Sequence, residues 1–163
     1  MSGEGAATDE VSTARRAAVH AQCGRRRCRA PRVRVTMLRM NARIAICSAA
    51  VFLFAAVALG TFGAHALKAR LAPELMATYQ TGVQYHFWHA LGLLAVGVLL
   101  LQRPDSGALA AAAWLLVAGL ILFCGSLYTL ALTGVRIWGA VAPVGGVAFL
   151  AAWAALAWAA WRW

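Results

Sequence analysis

The chain has 163 residues, 63% hydrophobic and 12% charged, with a mean hydropathy of +0.71; a typical soluble domain is about 45–50% apolar and about 25% charged, so composition points to a membrane protein. A formal net charge of +10 and a pI near 11.0 ordinarily suggest a nucleic-acid binder. Most of the arginines lie before Ile44, however, and the remainder is sparsely charged, so no nucleic-acid partner is expected and the two parts are read separately.

Residues 1–40 contain "RRAAVHAQCGRRRCRAPRVRVTMLRM" and no sustained apolar periodicity. Such a segment cannot bury enough apolar surface to offset its ordering entropy, and it is expected to be a disordered, arginine-rich tail. Met37 and Met40 are plausible starts just before the first apolar run, and the preferred reading is that translation begins there. The alternative is a basic tail held near anionic lipid headgroups. An arginine-rich targeting peptide fits poorly with Glu4, Asp9 and Glu10. Cys23 and Cys28 lack the second ligand pair that a zinc site requires. Cys47 and Cys124 sit in apolar runs, where a thiol is a small hydrophobe.

The domain at residues 41–163 holds four apolar runs, at residues 44–67, 84–102, 108–132 and 137–161. Each is long enough to cross a bilayer as a helix, and none carries the charged outer face of a soluble bundle. The expected fold is an all-α, integral membrane four-helix bundle. The first run has a basic flank (Arg39, Arg43) and the small-residue triplet "AHA" at residues 64–66. Its apolar stretch is longer than that of a signal peptide, so a retained helix is expected rather than a cleaved one.

Within the connections, Pro73 and Glu74 read as a helix start, with proline at the first position and an acid in the first turn. A second helix beginning there is about 29 residues or about 43 Å long, more than the ~30 Å hydrocarbon core. An amphipathic interfacial stretch from Pro73 to Gly82, with a bend at Gly82, is the expectation. Pro104 and Asp105 make a turn, and Gly134 ends the third helix. Trp153, Trp158, Trp161 and Trp163 crowd one end, where an aromatic belt belongs. Arg29, Arg32, Arg34, Arg39, Arg43, Arg103 and Arg162 outnumber Lys68, Arg70 and Arg136 on the opposite side. The excess places the N-terminus, second loop and C-terminus in the cytoplasm of a plasma (inner) membrane protein.

That topology gathers His65, Gln80, Gln84, Tyr85, His86, His89, Ser126, Tyr128, Thr129, Thr133 and Pro143 in the outer half. His86 and His89 are expected to face His65 and the Ser126–Tyr128 region. In the structural reading these side chains hydrogen-bond between helices, while Gly60, Gly63, Gly125, Gly145 and Gly146 permit close approach. Pro143, inside the fourth run, frees a carbonyl one turn earlier, which a nearby Ser, Thr or His satisfies. In the functional reading His65, His86 and His89 ligate a metal or haem, or relay protons. The structural reading is preferred, because the histidines lie near the interface and no carboxylate falls inside a span. No Gly-rich phosphate loop or metalloprotease helix is present, and "FCGSLY" is not a nucleophile elbow. The runs do not repeat one another as transporter halves do.

The segments "GTFGAHALK", "YQTGVQYHFWHALGLL", "LFCGSLYTLALTG" and "APVGG" together resemble the YgdD-like family of small membrane proteins, which includes eukaryotic transmembrane protein 256 and corresponds to a domain of unknown function. The resemblance covers about residues 42–161 in the family's motif order, and the tail lies outside it. Ala142 departs from the family's threonine before the proline. The resemblance implies a retained first helix and a multi-pass membrane protein, and it supplies no activity. The expected function is therefore non-enzymatic and without a cofactor: a structural protein in the lipid bilayer that meets lipids, a membrane-protein partner or further copies of itself. The alternatives are the histidine site and a small carrier or oligomeric channel.

Overall fold

The computed structural model describes residues 40–162. The tail expectation, with Cys23 and Cys28, and the position of Trp163 lie outside those residues. The described chain is all-α and contains four helices long and apolar enough to cross a membrane. They are α1 (Ala42–Leu67), α2 (Pro73–Gln102), α3 (Gly107–Thr133) and α4 (Ala142–Trp161).

Local chemistry explains where each begins and ends. The Asn41 side chain accepts a hydrogen bond from the Ile44 amide at 2.9 Å, and Ser106 Oγ accepts one from the Leu109 amide at 3.3 Å. These caps satisfy amides that have no partner inside α1 and α3. Pro73 opens α2, where its missing amide costs nothing and its fixed φ suits a helix. Gly134, at φ 70°, ends α3 in the left-handed region and donates its amide to the Leu130 carbonyl at 2.8 Å.

Two expectations about the helices are corrected. The helix does start at Pro73, as expected, and the run at residues 84–102 is its later part, but α2 is a single α-helix of 30 residues without the expected bend. Gly82 does not interrupt it; a Cβ there would lie 3.1 Å from the Tyr128 ring, so this glycine serves helix approach instead. The run at residues 137–161 is not one α-helix. A 3-10 turn at Arg136–Ala140 precedes α4, and Pro143 is in α4's first turn. There its missing donor falls among the first-turn amides, which have no partner inside α4, and Pro143 is exposed rather than a packing residue.

Both α1 and α3 contain a π turn, at Gly63–Leu67 and Leu120–Cys124. Each inserts one extra residue into the turn, so the side chains beyond it are displaced around the axis. Consecutive helices make the principal pairs: α1 on α2, α2 on α3, α3 on α4. α2 is the central element. Its buried seam runs Tyr79, Gly82, His86, His89, Leu93, Val96, Leu100, alternating steps of three and four as helix pairs require. In lipid, association gains from tight packing rather than from escape from water. The interface is accordingly cut by glycines: Ile46 of α1 fills the space above Gly97, and Trp153 of α4 lies over Gly92. Large apolar side chains such as Phe54 (78% exposed) and Leu150 (72%) cover the outside, which is the lipid-facing surface of a membrane bundle.

Candidate functional site

Polar groups inside the span concentrate where α2 crosses the other helices, and the two seam histidines lead to different neighbours. A step of three residues is about 300° around a helix, so His86 and His89 point about 60° apart. His86, 5% exposed, lies between α1 and α3. Its Nδ1 is 3.2 Å from the Tyr128 hydroxyl, and its ring meets the Phe52 ring edge-on with centroids 5.7 Å apart. Nε2 approaches the Phe52 backbone carbonyl but falls short of hydrogen-bond geometry and is buried without a partner. With the proton on Nε2, the Tyr128 hydroxyl donates to Nδ1 and the imidazole N–H faces that carbonyl.

His89, 8% exposed, points toward α4. Its Nδ1–H donates to the Tyr85 carbonyl at 2.8 Å, which fixes the tautomer because a carbonyl only accepts. The ring stacks on Phe149 with centroids 3.6 Å apart and planes 20° apart. Phe149 in turn fits against Gly119, where any Cβ would collide with its ring. Tyr85 stacks on His89 with centroids 5.6 Å apart and meets Phe123 of the α3 π turn at a tilt, with centroids 4.8 Å apart. The backbone of Phe123 lies against Gly145 so closely that no side chain fits there.

A third pin sits two turns before His86 on α2. Tyr79 donates its hydroxyl to the Leu59 carbonyl of α1 at 2.8 Å. Its ring lies in the notch left by Gly63, where a Cβ would be 2.5 Å from the ring carbon Cε1. Tyr79 also packs against Tyr128, with centroids 5.2 Å apart. The result is an aromatic–imidazole cluster in two parts, Phe52, Tyr79, His86 and Tyr128 across α1, α2 and α3, and Tyr85, His89, Phe123, Phe149 and Trp153 across α2, α3 and α4.

The expected polar cluster is therefore assembled only in part. His65 is exposed on the α1 π turn and away from the seam, and Gln84 is exposed on α2. Among the described residues no group of three His, Cys, Asp or Glu side chains is arranged to hold a metal. The three-histidine arrangement is thus not formed. Cross-helix hydrogen bonding is also sparser than expected. Ser126 bonds the Phe123 carbonyl at 2.9 Å, Thr129 that of Gly125 at 2.8 Å, and Thr133 that of Thr129 at 2.6 Å, all within α3. Hydroxyls can satisfy themselves on their own helix, which removes the need for a partner across the interface. Gly125 is corrected as a packing residue, since a Cβ there meets nothing within 4 Å. Gly60 and Gly146 make ordinary contacts, while Gly63 and Gly145 make close ones. Sequence reasoning missed Tyr79, Phe149, Gly82, Gly92, Gly97 and Gly119. The step of three and four along α2 is the signal that would have found Tyr79 and Gly82.

A protein family described as "Protein of unknown function (DUF423)" matches residues 59–146. The chain is 44% identical over 115 residues to the "UPF0382 inner membrane protein YgdD" of Escherichia coli K12, covering 71% of this chain and 87% of that protein. It is 47% identical over 98 residues to the "UPF0382 membrane protein YwdK" of Bacillus subtilis, covering 60% and 80%. A similar protein of Staphylococcus haemolyticus, "UPF0382 membrane protein SH2409", is 43% identical over 97 residues, covering 60% and 78%. No solved structure matches. The matched residues include the seam histidines, both tyrosine pins and both π turns.

Proposed function

Because the chain belongs to the DUF423 family of membrane proteins, we propose that it is a non-enzymatic, multi-pass protein of the plasma (inner) membrane that acts through lipid or protein partners. Residues 41–163 form its membrane domain, and the aromatic–imidazole cluster is the clasp that holds the helices in register. One observation carries this reading: His86 and His89, on one helix, engage Phe52 of α1, Tyr128 of α3 and Phe149 of α4. A side chain used in this way is occupied by packing rather than presented to a ligand. His86→Ala and His89→Ala are expected to lower the thermal midpoint in detergent without changing the metal content. Stoichiometric zinc, copper or iron in the purified protein would overturn the reading.

Both termini are assigned to the cytoplasm. Among the described residues Arg43, Arg103 and Arg162 lie at one end and Lys68, Arg70 and Arg136 at the other, so the assignment rests on the arginines before residue 40, which a start at Met37 reduces to Arg39 and a slight bias. A green fluorescent protein fused to the C-terminus is expected to fluoresce; a dark fusion beside an active periplasmic phosphatase fusion reverses the orientation.

A second reading, a proton-binding site, is favoured by the buried and unpartnered His86 Nε2. A buried ionisable group within a span is costly unless used. Nitrogen-15 chemical shifts of His86 that move between pH 5 and 8 would support it, and shifts that stay constant would exclude it.

A further inference from the structure

Beside the Tyr79 pin, α1 and α2 leave a cleft of about 200 Å³ between them. Gly60, Gly63 and Ala64 of α1 form one wall, and Met76, Tyr79 and Val83 of α2 form the other. Gln80 and Gln84, one turn apart on α2, complete the lining and are both exposed. We propose that this cleft holds the glycerol ester region of a diacyl phospholipid, whose ester carbonyls accept from the two carboxamides. The inference rests on the reading of a lipid-interacting membrane protein and names the lipid group and the site.

The carboxamides define the chemistry. Each offers two N–H donors, and neither has a hydrogen-bond partner among the described residues. A polar group set against lipid without a partner is costly. The hydroxyls nearby are already used: Tyr79 donates to the Leu59 carbonyl, and Thr81 bonds the Ala77 carbonyl on its own helix. Tyr79 therefore lends the cleft only its ring, and the ligand's acceptor falls to Gln80 and Gln84. No charged residue is among the lining, so the cleft selects for the ester rather than for the charge of a headgroup.

Depth identifies the acceptor. About 20 helical residues cross the hydrocarbon. Counted back from Gln102, they put the far boundary between Gln80 and Gln84 of α2. Counted forward from Ala42, they put it between Gly60 and Gly63 of α1. Both helices thus place the cleft where acyl chains meet their ester carbonyls. An apolar cavity of roughly 150 Å³ stays dry and takes up benzene, so the cleft has room for several methylenes. One turn deeper, exposed Val57 of α1 and Phe87 of α2 continue the same faces as apolar surface. A chain leaving the cleft has an apolar path toward the middle of the bilayer. A second copy of the protein would have to bring its own acceptor to this level, whereas every diacyl lipid carries one there.

The test is native mass spectrometry of the full chain in micelles holding equal diester and diether phosphatidylcholine of one chain length. The diether lipid keeps the headgroup and chains and lacks the ester carbonyls. The wild type is expected to retain the diester about tenfold over the diether, on the scale of two hydrogen bonds in a membrane. Gln80→Leu/Gln84→Leu is expected to lose that preference, and Gln102→Leu, at the other end of α2, to keep it. Ala64→Leu, at an exposed position, fills the cleft and is expected to lower retention of both lipids. Equal retention by the wild type, or a preference that survives in the double variant, overturns the proposal. A dimer that disappears in the double variant assigns the cleft to a second copy and also overturns it. The thermal midpoint of the double variant is expected to be unchanged; a midpoint lost together with the preference gives the glutamines a structural role and overturns the lipid assignment. Failure of the underlying reading shows separately, as stoichiometric metal in the purified protein.

Discussion

A single hydroxyl shows how little polar chemistry the bundle spends across its interfaces. Tyr128 reaches His86 and Tyr79 reaches the Leu59 carbonyl, while the neighbouring serine and threonines bond their own helices. Tyr128→Phe leaves the imidazole Nδ1 buried without its partner, at a cost of about 1 kcal/mol on the scale of hydrogen bonds measured in membranes. A lowered thermal midpoint in detergent is the expected readout, with the histidine variants showing non-additive loss when combined with it. The glycines divide in the same way by what surrounds them. Gly119→Ala drives a methyl into the Phe149 ring and is expected to destabilise by about 1–3 kcal/mol. Gly125→Ala meets nothing and is expected to be neutral, or stabilising by up to about 1 kcal/mol through helix propensity. Guanidinium or thermal titration of both variants in one detergent checks the opposite signs.

At the scale of the element, the spans were legible because lipid leaves a backbone no alternative: every carbonyl and amide must close within a helix, so each crossing is written as a long apolar run. Caps at Gly134 and Pro73 were legible for the same local reasons. The site was legible only as a region. His86 and Tyr128 do meet, as the shared half of the bundle implied, but His65 does not join them. What hid the geometry is the pair of π turns. A helix read at a constant 3.6 residues per turn predicts the wrong facing for everything beyond Leu120–Cys124, including Ser126 and Tyr128. The close-approach glycines of α2 were equally hidden, since Gly92 and Gly97 look like ordinary members of an apolar run until the opposing Trp153 and Ile46 are in place. Deleting one exposed residue of the turn, Ile121, tests this account. The deletion removes the one extra residue, so the turn can close as an ordinary α turn while residues 125–133 keep their facing. The deletion is expected to be tolerated like a surface substitution; a loss of stability as large as that of Tyr128→Phe would show that the extra residue is not what sets the facing of Ser126 and Tyr128.

For the whole molecule, the lengths of the helices matter as much as their contacts. α2 has 30 residues and α4 has 20, or about 45 Å and about 30 Å at 1.5 Å per residue. α4 therefore matches the hydrocarbon core and α2 exceeds it by about half. Tilting α2 alone to fit requires about 48°, beyond the 0–40° that spanning helices adopt. Its first turns, Pro73 onward, are expected to stand clear of the hydrocarbon. With the natural cysteines replaced, a membrane-impermeant maleimide is expected to label Ala77→Cys and to leave Val98→Cys unmodified, both positions being exposed on α2; labelling of neither would place the whole helix in lipid. Since α2 passes without a break from that projecting end to the seam of His86 and His89, it works as a lever with its fulcrum in the bilayer. Any displacement of the Pro73 end therefore has one unbroken helix, and no hinge, between it and the two imidazoles.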